Sequence, residues 1–163
     1  KNQGEYVIYN MEETFGRYLE EFVESDIYKH FPSKTIMESD NNLFSLLTMN
    51  HHPVHLDIEY CKTHQHGKIL VVGPLVFSIA VGLTVSEISG KAIANLGYEK
   101  IVHNGPVFIG DTISAQTEIL SVRDSKNKED RGIVHVETKA SNQNNELVLT
   151  FQRSVLVLKR KLK

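Results

Sequence analysis

Between Ile69 and Val85 the chain carries its longest apolar stretch, and no other feature limits the possible folds as strongly. Gly73, Pro74, Ser78, Gly82 and Thr84 interrupt it, and it is too short to read as a membrane span, which takes about 20 predominantly apolar residues. Proline suits the first turn of a helix, where its missing N–H would have had no partner, so a helix is expected from Pro74 to about Ser89. Leu75, Val76, Ile79, Ala80, Val81, Leu83, Val85 and Ile88 fall around most of its circumference. A helix with so little polar surface belongs in a core, enclosed by other elements.

Beyond Gly90 the pattern changes to strand-like runs over Lys100–His103, Asp111–Arg123, Gly132–Ser141 and Glu146–Lys159. In the second run Ile113, Ala115, Thr117, Ile119 and Ser121 alternate with polar neighbours, which gives a strand one buried and one wetter face. Asn104-Gly105-Pro106, Gly110-Asp111 and the segment Asn142–Asn145 carry turn chemistry, the last as a hairpin connection. Buried helix first and antiparallel meander second is an α+β order, with the sheet wrapped around the long central helix.

Upstream, Phe15, Tyr18, Leu19 and Phe22 stand at helix-like spacing in a lead-in that reaches to about residue 30. Ser33–Met37 is expected as a short strand. Glu38, Ser39 and Asp40 then offer caps for a helix carrying Leu43, Phe44, Leu46 and Leu47 and ending near Met49. His51-His52-Pro53 must be a loop, because proline disfavours the helical conformation of the residue before it. Asp57 can cap a short helix through Ile58, Tyr60 and Cys61. With no internal repeat and no linker, the 163 residues are expected to form a single domain.

Charge narrows the partners. The formal net charge is -2, and the one basic cluster is the terminal run of Lys159, Arg160, Lys161 and Lys163, so no nucleic acid partner is expected. Cys61 is the only cysteine and allows no internal disulfide. No charged start followed by an apolar signal core is visible, which leaves the cytoplasm as the expected compartment and no membrane partner.

The densest chemistry lies in Thr48-Met49-Asn50-His51-His52-Pro53-Val54-His55-Leu56-Asp57, at a helix-to-loop junction. His55 can act as a general acid or base near neutral pH, and the amide of Asn50 can hold a water or a carbonyl. On the residues alone, histidines decorating a polar turn account equally for the pattern. His51, His52, His55, His64 and His66 are locally dense, yet no pair has the HExxH spacing, and no metal site is expected. Asp40 and Asp57 read as helix caps, Cys61 as a small buried residue, and Ser125 as a serine without a base. Arg123, Lys126 and Arg153 have the chemistry to meet the phosphates of a coenzyme A tail, or simply to end strands in solvent.

The loop resembles the hydratase signature of MaoC-like enzymes, with Pro53, Val54 and His55 at its end and Thr48 at its start. Asn50 stands where that family's catalytic aspartate is expected, Met49 replaces a glycine, and His52 replaces the asparagine before proline. Leu47-Thr48-Met49-Asn50, Asn95-Leu96-Gly97, Pro106-Val107-Phe108-Ile109-Gly110-Asp111-Thr112, Arg123-Asp124-Ser125-Lys126 and Asn142-Gln143 resemble the branch containing the mesaconyl-CoA hydratases and methylmalyl-CoA dehydratases. The resemblance runs from about Lys34 to Arg160. It implies a hotdog fold, an acyl-CoA substrate with no separate cofactor, a homodimer or higher homo-oligomer, and addition or removal of water at an enoyl or 3-hydroxyacyl thioester. His55 would shuttle the proton, Asn50 would orient water, and Gly73 would match the glycine that binds the thioester oxygen. A hotdog thioesterase and a non-catalytic acyl-CoA binding module are the alternatives, because one fold hosts several chemistries.

Overall fold

The computed structural model describes residues 7–160; Lys161 and Lys163 of the basic run, and the first six residues of the lead-in, lie outside that range. In chain order the elements are α1 (Met11–Thr14), β1 (Ile27–Lys29), β2 (Lys34–Thr35), α2 (Glu38–Thr48), α3 (Ile58–Lys62), α4 (Gly73–Leu83), β3 (Ala92–His103), β4 (Thr112–Asp124), β5 (Arg131–Ser141) and β6 (Leu147–Leu158). The strands form an antiparallel six-stranded sheet in the order β1-β4-β5-β6-β3, with β2 also on β4. Among the described residues no helix is long and apolar enough to cross a membrane.

The apolar run forms the expected helix, but it ends sooner. α4 stops at Leu83, and Val85–Ser89 continues as a π-helical turn. Leu75, Val76 and Ala80 of α4 pack with Ile113, Ala140, Leu149 and Phe151 of the sheet. Enclosure is one-sided: Pro74, Ser78 and Gly82 face outward in a single chain, where the expected helix was buried around most of its circumference. Their fourfold spacing puts a proline, a serine and a glycine on one stripe, which costs little to wet.

Strand β4 keeps its alternation, with Ile113, Ala115, Thr117 and Ile119 buried, until a register shift between Ile119 and Ser121 ends it. Strand β3 begins at Ala92, eight residues before the expected Lys100. Three register shifts against β6 break its period of two, and Lys100 has φ 51°, so no alternation was there to read. The lead-in is not one helix. Gly16 has φ 76°, and a Cβ there would come within 2.5 Å of the Lys91 backbone nitrogen, so this glycine turns the chain against Gly90. Leu19 and Phe22 then bury beside Ile88, Val134 and Val155 in a second apolar cluster.

A buried polar network lies between helix and sheet. His30 Nδ1 is 2.7 Å from Glu87 Oε2 and its Nε2 is 2.7 Å from Thr117 Oγ1, which in turn is 2.8 Å from Thr138 Oγ1. Burial pushes the His30 imidazole below its ordinary pKa, against the pull of Glu87. Burial alone would raise the Glu87 carboxyl, but hydrogen bonds from Ser86 and His30 outweigh it and lower the pKa. Both directions fit a neutral His30 donating from Nδ1 to an ionised Glu87 and accepting from Thr117 at Nε2. Arg153, 2% exposed, completes the layer by donating to Thr84 Oγ1 at 2.6 Å. Its guanidinium is a core group, which corrects its reading as a candidate for coenzyme A phosphates.

Candidate active site

Proline 53 stops α2 from continuing into the histidine loop. Met49 closes α2 in the left-handed conformation, and Pro53–His55 forms a single 3-10 turn whose first N–H, on Val54, is accepted by His52 Nδ1 at 3.2 Å. Asp40 accepts the Met37 N–H at 2.8 Å and Asp57 accepts the Tyr60 N–H at 3.0 Å, so both carboxylates cap helices as expected. Cys61 is buried, its Sγ 3.2 Å from the Val54 carbonyl.

His55 is half-buried, with Nδ1 2.7 Å from the carbonyl oxygen of Leu70. A carbonyl only accepts, so Nδ1 must carry the proton, and neutral His55 keeps its lone pair on Nε2. The base is thereby tied to a residue three positions before Gly73, the first residue of α4. A second tie comes from Asn41, fully buried on α2. Its Nδ2 donates to the His55 carbonyl at 2.9 Å, and its Oδ1 accepts the Val72 N–H at 3.0 Å. Gly73 and His55 thus share one rigid frame, and both line a cleft of about 370 Å³ together with His66, Val76, His103 and Pro106.

Only one backbone donor of the first α4 turn remains for a ligand. Val72 N–H goes to Asn41, Pro74 has none, and Leu75 and Val76 N–H return to the Val72 carbonyl. That leaves Gly73 N–H at the positive end of the helix, where charge developing on an oxygen is stabilised.

Asn50 is not brought into this cleft wall. It follows the end of α2, half-buried, with its N–H on the Ser45 carbonyl at 3.0 Å. Arg123 and Lys126 are exposed at the other end of the sheet, roughly 36 Å along β4 from Thr112 at about 3.3 Å per residue. His64 stacks on Tyr60 with ring centroids 3.9 Å apart, and His66 meets Phe108 edge-on at 5.4 Å. Among the described residues no group of three or more His, Cys, Asp and Glu side chains could hold a metal ion. Two downstream motifs are tied to each other: Asp111 accepts the Phe108 N–H at 2.8 Å and the Gln143 amide at 2.9 Å.

Sequence reasoning missed Asn41 and His103. The spacing on α2 misleads: Asn41 and Ser45, four apart, are both fully buried, while Leu43, Leu46 and Leu47 point to solvent. Of the four apolar residues expected on α2, only Phe44 packs on the core, and the three leucines form its outer face. On its inner face the Asn41 amide satisfies backbone groups of two crossing loops.

A protein-family model for the MaoC like domain matches residues 24–142. The chain is 30% identical over 150 residues, 92% of its length, to mesaconyl-CoA hydratase of Cereibacter sphaeroides, and covers 43% of that protein. Identity to beta-methylmalyl-CoA dehydratase of Chloroflexus aurantiacus is 32% over 145 residues, 89% of this chain and 41% of that one. The chain therefore spans less than half the length of these two relatives. Among solved structures, a monoamine oxidase regulatory protein of Archaeoglobus superposes with TM-score 0.79 and 32% identity, over 91% of this chain and 99% of that one. A Mycobacterium tuberculosis protein with a double hotdog fold matches with TM-score 0.79 over 91% of this chain and 46% of that one, at 21% identity; it supports the hotdog fold alone.

Proposed function

The chain belongs to the MaoC-like domain family, and from that premise we propose that it is a hydro-lyase acting on an acyl-CoA thioester. The observation that carries the reading is the bond from His55 Nδ1 to the Leu70 carbonyl, which sets Nε2 as the base beside the Gly73 helix start. In the hydration direction His55 Nε2 takes a proton from water as the water oxygen bonds to Cβ of the enoyl thioester. The π pair moves to Cα and the carbonyl pair onto oxygen, which Gly73 N–H receives. Collapse of that enolate takes the proton back at Cα from the His55 imidazolium, so one water is added and the base is restored. Asn50 stands outside the lining of this cleft and, as an amide, is not a proton acceptor, so His55 and Gly73 carry the step.

A second copy of the chain fits β3. This edge strand is exposed over nearly all its length, with Ile93, Leu96, Ile101 and Val102 exposed to solvent. Unpaired edges with apolar side chains invite another strand, and a β3-to-β3 homodimer would place the partner beside the cleft, which His103 borders.

Mass analysis of products from a panel including mesaconyl-CoA and crotonyl-CoA tests the assignment. Gain of one water on an intact thioester is expected. Release of free coenzyme A would replace it with the thioesterase reading. Binding without conversion would favour the binding module, which the lack of a carboxylate among the residues lining the cleft also supports.

A further inference from the structure

Gly73 offers a single N–H to the thioester oxygen, and the side chain that covers Gly73 is an imidazole. A Cβ built on Gly73 would lie 3.0 Å from both Cε1 and Nε2 of His103, so the ring rests on the bare α-carbon of the helix start. We propose that His103 is the second hydrogen-bond donor of the oxyanion site, acting with Gly73 N–H on the carbonyl oxygen of the bound thioester. This inference rests on the hydro-lyase reading for its chemistry, and on the cleft alone for its geometry.

His103 ends β3, paired with Leu149 of β6, and the chain immediately after it is fastened. Asn104 N–H donates to the Val148 carbonyl at 2.9 Å, and Asn104 Oδ1 accepts from Thr150 Oγ1 at 3.0 Å. The ring is exposed on the cleft and, among the described residues, neither of its nitrogens has a hydrogen-bond partner within the chain. A residue fixed in backbone and free at both ring nitrogens is suited to meet a ligand. No other donor from the first turn of α4 is available to share the charge, since Pro74 has no N–H and Leu75 and Val76 are engaged. In the step above, His103 keeps its proton throughout: its N–H binds the oxygen more strongly as the enolate forms and is released on collapse, so no atom is transferred through it.

The donor role is separable from proton transfer by choice of variant. His103→Gln keeps an N–H donor and cannot titrate, whereas His103→Leu keeps neither. His103→Leu is expected to lower kcat by roughly 10²–10³-fold, the range for losing one oxyanion donor, with melting unchanged at this exposed position. His103→Gln is expected to recover most of the rate. The infrared band of the labelled thioester carbonyl in bound crotonyl-CoA should shift to lower frequency in the parent, keep that shift in His55→Ala and in His103→Gln, and lose part of it in His103→Leu.

A His103→Leu protein with parental kcat and an unchanged band would overturn the proposal. So would a His103→Gln protein as inactive as His103→Leu, which would assign a proton to His103 instead. If the parent binds crotonyl-CoA with a His103-dependent band shift but converts no enoyl thioester, the hydro-lyase reading fails and this inference stands. If no acyl-CoA binds at all, both fall.

Discussion

Replacing Asn41 by leucine keeps much of its volume and removes both of its hydrogen bonds. The His55 carbonyl and the Val72 N–H would then be left without partners at a site that is 0% exposed. Each such buried group costs about 1–3 kcal/mol when its partner is removed, so Asn41→Leu should destabilise the fold by roughly 2–6 kcal/mol. At about 2–4 °C per kcal/mol for a domain of this size, the melting temperature should fall by roughly 4–24 °C. Thermal melting followed by circular dichroism reads the shift, and a urea series should show a lower midpoint at unchanged slope. Turnover measured well below the melting range should also drop by at least about tenfold, because the bridge sets the spacing between His55 and Gly73, and small displacements of reacting groups are costly. An Asn41→Leu protein that melts with the parent would refute the bridge as the element holding the site.

Three further outcomes follow from the geometry. Gly73→Ala places a methyl 3.0 Å from the His103 ring at a helix position that accepts alanine, so kcat should fall while melting stays level or rises; a parental kcat would contradict the close approach. His30 titrates below the ordinary imidazole value of about 6.5 in the fold, so the unfolded chain takes the proton first; stability should be whole above about pH 6.5 and fall as the pH drops through it, and His30→Gln should flatten that slope in urea midpoints. Leu96→Lys puts a charge on the outer edge strand, and light scattering after size exclusion should show the proposed β3 dimer converted to monomer; an unchanged mass would refute the β3 pairing.

Where the sequence could be read and where it could not follows from how each element is stabilised. Helix α4 and strand β4 were visible because burial repeats along them at fixed periods, in Leu75, Val76 and Ala80 and in Ile113, Ala115, Thr117 and Ile119. The first eight residues of β3 escaped because register shifts erase the strand's period, and an exposed edge places little demand on side-chain type. At the site, His55 and Gly73 carried local signals, a proline-bounded loop and a Gly-Pro helix start. Their neighbours Asn41 and His103 did not, since Asn41 acts from behind the cleft through backbone groups and His103 reaches it from the end of β3. Arg153 misled for a related reason: a guanidinium in a strand pattern looks solvated until Thr84 is found beside it.

The most direct test of the account is the turnover of an enoyl-CoA by the parent and by His55→Ala, followed by loss of the conjugated thioester absorbance. The account predicts steady hydration by the parent and a fall in kcat of roughly 10²–10⁴-fold in His55→Ala, the range for losing a general base, with the variant folded and still binding acyl-CoA. Equal turnover by the two proteins would contradict the assignment of His55 as the base.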